Sequence, residues 1–190
     1  MNKGMILGSP VVWADVSDYA GDGGTRTHQI DLTSLANGAA RAGIKADMAV
    51  MSVVHHGDRG AYHRLPYRWA VTLRVELDVS ATANTTVDLY WGASLSATAA
   101  TANPGGLVGT DAAYTGTGDT LAESLLQLQL IGSLPLTDDV ATEFVLQKTF
   151  ITTLPLRYGQ PVVMNNSGQA FEGDADEMSI TFTPLVDEEN

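Results

Sequence analysis

The chain has 190 residues, 44% hydrophobic and 17% charged, which fits one globular domain with its own core and argues against a disordered or fibrous chain. Its 22 acidic residues against ten basic ones leave a formal charge of −12, a field that repels a phosphate backbone and places such a chain away from nucleic acid. Cysteine is absent, so disulfides and thiolate metal sites are excluded, and stability must come from core burial or from association with other chains.

Residues 1–30 read as an N-terminal arm and irregular segment. Lys3 precedes a short apolar run interrupted by Gly8 and Pro10, which does not match a signal peptide, and no stretch reaches the roughly 18 apolar residues of a membrane span. From there residues 31–186 form the expected domain, and residues 187–190 an acidic tail. Residues 30–32 and 49–54 are candidate short strands, with residues 34–40 as a turn or one helical turn between them.

The clearest element follows. Trp69, Val71, Leu73, Val75, Leu77 and Val79 occupy every second place, which is the period of a half-buried strand. Val87, Leu89 and Trp91 repeat that pattern after a turn region at residues 83–85, so the two runs are expected to pair as antiparallel neighbours with Trp69 and Trp91 in the core. Both tryptophans are in phase with aliphatic neighbours and are read as core anchors, not as sugar-stacking platforms.

Residues 92–118 are rich in Ala, Thr, Ser, Gly and Asn. They read as a long surface excursion with little to form a separate core, and as a candidate contact surface for another chain. Thr120 and Glu123 have capping-box spacing, and Leu121, Leu125 and Leu128 recur at helical intervals, so one short helix is expected to open at Thr120. Alternation returns over residues 128–136, where Pro135 marks an edge strand or a strand end. Further strands are expected at residues 144–150 and 161–164, the latter before a turn at Asn165, Asn166, Ser167 and Gly168, and at residues 178–182. Glycine, proline and turn residues between alternating runs predict an all-β, antiparallel β-sandwich with one short helix and long loops, and no repeat of fixed period suggests a solenoid.

No motif carries chemistry. Of the four histidines, His28, His55, His56 and His63, the adjacent pair would point to opposite faces of a strand and could not readily share a metal; they are read as exposed. The acidic run at residues 172–177 lacks the EF-hand pattern and reads as a solvated turn. There is no nucleophile elbow, phosphate loop or dinucleotide fingerprint. The expectation is therefore no catalytic, cofactor or metal residues, no cofactor, and a chain that is not an enzyme. Should the surface bind glycans, Tyr62, Tyr67, Tyr90 and Tyr114 are its candidate aromatics.

Several segments taken together resemble a family of tailed-bacteriophage virion proteins: residues 42–47 (AGIKAD), 86–91 (TVDLYW), 96–106 (SATAATANPGG), 128–134 (LQLIGSL) and 157–163 (RYGQPVV). The resemblance runs from about Ile30 to Asp187. It implies a head decoration (cement) protein on a β-sandwich or jelly-roll fold, bound outside the major capsid protein shell. Self-association as a homotrimer is expected, with no nucleic-acid or membrane partner. A tail, baseplate or fibre-associated virion protein is the alternative, and a glycan-binding module on the particle a further one.

Overall fold

Strand β8 (Arg68–Leu77) buries Trp69, Val71, Leu73, Val75 and Leu77 while Ala70, Thr72 and Arg74 stay partly exposed. One of its faces therefore lies on a core. The computed structural model describes residues 4–7, 9–15, 26–48, 53–57, 60–64, 68–118, 120–138, 144–173 and 177–188, and of these gives the backbone alone for 4–7, 53–57, 60–64, 144 and 186–188. In chain order the strands are β1 (Gly4–Leu7), β2 (Val11–Ala14), β3 (His28–Gln29), β4 (Ala40–Ala42), β5 (Ala46–Asp47), β6 (Val53–Gly57), β7 (Gly60–Arg64), β8, β9 (Thr85–Ser94), β10 (Ala112–Tyr114), β11 (Gln129–Leu136), β12 (Phe144–Thr152), β13 (Tyr158–Asn166) and β14 (Ser179–Glu188). Among the described residues these are joined by the helix α1 (Leu121–Leu125) and a 3-10 turn at Pro104–Gly106.

Two sheets result. The first runs β12-β8-β14-β2-β3, with β1 continuing along β14; the second runs β10-β4-β13-β9-β11, with β5 added to β13. The hairpin β6-β7 stands apart from both. All pairs are antiparallel except β2 with β3. Four of the antiparallel pairs are nested along the chain: β2 with β14, β4 with β13, β8 with β12, and β9 with β11. Nesting of this kind, with β12-β8-β14-β2 facing β4-β13-β9-β11, is the jelly-roll arrangement of an all-β antiparallel sandwich.

Between the sheets lies the main core. Trp13, Trp91 and Phe182 meet with ring centroids 5.1 to 5.9 Å apart, and Trp69 joins Phe182 at 6.3 Å. Edge-on and tilted aromatic contacts of this kind add to the burial of each ring. Trp13 also donates its indole N–H to the Ile44 carbonyl at 2.7 Å. Gly159 on β13 is required beside Trp91, because a Cβ there would come within 2.4 Å of the indole ring.

The outer strands β11 and β12 lie on the same side of the sandwich. Lys148 of β12 donates to the Ser133 carbonyl of β11 at 3.0 Å, closing the gap between the two sheets. Pro135 and a register shift between Leu130 and Gly132 interrupt β11. A proline, a bulge and an inward lysine are devices that blunt free sheet edges, and the expectation that Pro135 marks an edge strand holds.

Three expectations need correction. The runs around Trp69 and Trp91 are not hairpin partners: β8 and β9 lie in opposite sheets, joined by residues 78–84, which are long enough to cross the roughly 10 Å between them. Both tryptophans still face the core, 1% and 0% exposed, because alternation sets the buried face without naming the neighbour. Within the supposed arm, β1 and β2 are paired along β14, and Trp13 is 0% exposed. Asp187 and Glu188 of the supposed tail are the last residues of β14, opposite Met5 and Gly4. The short helix forms where its cap predicts: the Thr120 hydroxyl accepts from the Glu123 N–H and donates to its carboxylate.

Candidate interaction surface

Residues 92–118 do not trail over the surface. They fold back on the outer face of the second sheet and end in β10, which pairs with β4. Val162, Ala40 and Ala42 supply the sheet side of a second apolar cluster, and Leu107, Tyr114, Leu125 and Leu128 close it from above. The stretch builds no separate core from its own residues, but it contributes Leu107 and Tyr114, two of its few large residues, to a cluster on the sheet face. Its many glycines let the backbone lie close to that face. Gly105 shows this most sharply, at φ +58 with the Tyr114 hydroxyl 2.5 Å from where a Cβ would stand.

Polar anchors fix the excursion to the body. Asp111, its one charged residue, accepts from the Arg41 Nε at 2.6 Å and from the Asp31 backbone N–H at 3.2 Å. The hydrogen bond to Asp111, followed by the charges of Asp111, Asp31 and Asp15, raises the Arg41 pKa against the opposing effect of burial. Asn103 donates to the Ala99 and Leu107 carbonyls at 2.6 and 2.8 Å, and Tyr114 to the Gly105 carbonyl at 2.7 Å. The buried Ser124 hydroxyl bonds both the N–H and the carbonyl of Thr117. Lys45 grips the first limb of the excursion with its ammonium and the second with its backbone N–H, 3.1 Å from the Gly109 carbonyl.

What this frame shows to solvent is nearly free of charge. Leu95 and Val108 are 76% and 49% exposed, set among exposed Ala97, Thr98, Ala99, Ala100, Thr110 and Ala113. Leu126 and Leu130, next along the same face, are 85% and 53% exposed. Depletion of charge is the compositional mark of an interface centre, and small side chains lose little rotamer entropy on docking. On a chain of net charge −12 this is the face where a neighbour meets the least electrostatic opposition.

The outer face of the first sheet is largely polar, with Ile151 of β12 exposed on it. Thr72 and Thr149 share a hydrogen bond of 2.9 Å across β8 and β12. At the far edge, Arg26, Thr27, His28, Gln29 and Ile44 line an open depression of about 260 Å³, below the usual size of a small-molecule site. His28 stacks on Trp13 at 5.1 Å, and burial lowers its pKa. It is thus a partly covered ring on an indole.

Among the described residues, no three His, Asp or Glu side chains converge as metal ligands, and no helix is long and apolar enough to cross a membrane. His55 and His56 occupy consecutive positions of β6, and His63 lies opposite Val54 on β7; their side chains lie outside the described structure, as do those of Tyr62 and Tyr67. Of the acidic run, Glu172 accepts from the Gly173 N–H, and residues 174–176 lie outside the described residues. Tyr114 is 4% exposed and cannot serve as a glycan platform. Tyr90 is partly buried against the second cluster, where burial and the Asp88 charge raise its pKa.

Sequence reading missed Lys45 and Arg41. Their one signal is scarcity: in a chain with ten basic residues, two of them stand within five positions, just ahead of a short strand. Comparison of the chain with protein-family models, with curated proteins and with solved structures returns no match.

Proposed function

We propose that this chain is a structural protein of a tailed-phage particle, a decoration or cement protein that binds the outside of the major capsid shell and stabilises it. One observation carries the reading beyond the resemblance in sequence: a nearly charge-free surface, residues 92–118, is held rigid on the outer face of a jelly roll that is otherwise strongly acidic. In this role the chain does no chemistry. It bridges joints between shell subunits, and the free energy of docking adds to that of the shell by linkage. A standard-size contact buries about 800 Å² per partner. Ala, Ser and Thr supply such area at little entropic cost, while the acidic remainder keeps the chain off the packaged nucleic acid. Homotrimers around local symmetry axes would let one docking event span several shell subunits.

Imaging of the intact particle tests this. Many copies on the outer shell, with residues 92–118 at the contact, are expected; finding the chain only in the tail or baseplate overturns the assignment. A Leu95→Asp, Val108→Asp double variant sharpens it. Both side chains are exposed, so folding should be unaffected while particle binding falls. Unchanged binding would move the contact to another face.

A further inference from the structure

Four oxygens surround the Lys45 ammonium. Its Nζ lies 3.0 Å from the Ser94 hydroxyl and 3.2, 2.8 and 3.1 Å from the carbonyls of Ser96, Thr98 and Thr101. These are ordinary lengths for N–H···O bonds, and each is strengthened by the charge on the donor. The Ser94 hydroxyl, 1% exposed, is within bonding distance of the Ser96, Thr101 and Ala102 carbonyls as well. Among the described residues no carboxylate pairs with Lys45. The positive charge is met by dipoles alone.

This geometry is hard to account for by the loop itself. Residues 94–102 read Ser-Leu-Ser-Ala-Thr-Ala-Ala-Thr-Ala, with no cation and no long donor of their own. Yet three of their carbonyls converge on one point. Converging oxygens repel one another, and a segment so poor in apolar side chains buries too little to compensate. The Ser94 hydroxyl reaches two of these carbonyls, at Ser96 and Thr101, and the Lys45 ammonium is the one group that reaches all three among the described residues. An ammonium, with three donors and no acceptor, suits a cup made only of acceptors and one hydroxyl.

We infer that residues 94–102 form a binding site for an ammonium-type monovalent cation, and that the chain carries its own occupant in the side chain of Lys45. Desolvation at the site lowers the Lys45 pKa. The consequence is that the shape of Leu95 and its neighbours depends on a residue about fifty positions earlier in the chain. Removing the amine and leaving space should turn an internal contact into a site for free ammonium or a small primary alkylammonium.

Two variants of the full chain test this, read by amide hydrogen exchange. The reporters are Ser96, Thr98 and Thr101, whose N–H groups bond within the loop. Lys45→Met keeps most of the stem and removes the charge. Its reporters should exchange at least about tenfold faster than in the parent, as loss of one charge-assisted bond implies, with β8 unchanged. Lys45→Ala should show the same loss, reversed by ammonium or methylammonium chloride and not by tetramethylammonium chloride, which has the charge and lacks N–H donors. Parent-like protection in Lys45→Met overturns the inference, and so does equal recovery with all three salts. Neither readout uses particle binding, so failure here is distinct from failure of the proposed function.

Discussion

The molecule holds two apolar clusters built by different means. The inner one is made mainly by β-strands facing each other across the sandwich, whose large side chains follow two-residue alternation, with Met48 and Phe171 added from outside the strands. The outer one is made by one sheet face and a segment with almost no regular structure. Inside, apolar surface meets apolar surface and the backbone is satisfied by the ladders. Outside, the backbone of residues 92–118 has few ladder partners, so side chains take over: Asn103, Tyr114, Gln127 and Ser124 each bond a main-chain group of the excursion or its flank. A core of strands needs a pattern, whereas a core closed by a loop needs particular residues at particular points.

The largest test of that contrast is Trp91→Ala. Trp91 is 0% exposed and touches both Trp13 and Phe182, so its truncation should cost about 3–5 kcal/mol in urea unfolding and weaken both clusters together. A loss below about 1 kcal/mol would mean that the inner cluster can collapse around the gap. Leu107→Ala probes the outer cluster. A cost of about 2–4 kcal/mol is expected, and it should appear first as faster exchange in residues 105–117 while β8 and β14 keep their protection. Uniform loss of protection in all elements would make the two clusters a single cooperative unit.

Legibility in the sequence divides along the same line. Alternation from Trp69 onward identified β8, its buried face and both core tryptophans; Pro135 marked an edge; Thr120 and Glu123 marked the helix start. Each of these is a local rule that the final fold obeys. Partner choice was not legible. Antiparallel neighbours are nested here, so β8 pairs with β12 about seventy residues later and not with the run beside it in sequence. The outer cluster was hidden for a different reason: Leu107 and Tyr114 are isolated large residues without a period, and the cations that hold the excursion lie outside it at Arg41 and Lys45. Composition marked residues 92–118 as unlike the rest, and did not show that Leu107 and Tyr114 would pack on the sheet.

A third test exploits a cost that the outer cluster carries and the strand pattern alone would not. Gln160 stands on the same face of β13 as Val162, is 1% exposed, and neither end of its amide has a hydrogen-bond partner among the described residues. A buried polar group in that condition costs about 1–3 kcal/mol. Gln160→Met, similar in volume and flexible enough to fit, should therefore raise stability by about 1 kcal/mol in chemical unfolding. A drop of that size would show that the amide does bond in solution.

The smallest effect concerns the edge where the inner core reaches solvent. His28 covers one side of Trp13 and accepts or donates at Thr27 Oγ1, 2.9 Å away, and burial lowers its pKa from the ordinary 6.5. Between the folded value and 6.5 the unfolded chain holds a proton that the folded chain lacks. Stability from this group is therefore complete above 6.5, declines as the pH falls through that window, and levels off once the pH lies below the folded value. Other histidines and the carboxylates add their own slopes, so the informative quantity is a difference. His28→Gln should be less stable near neutral pH, where the ring no longer covers Trp13, and the gap to the parent should narrow on acidification to about pH 5 as the parent alone meets the cost of charging His28. Parallel curves for the two proteins would mean that the ring takes up its proton as easily on Trp13 as in water.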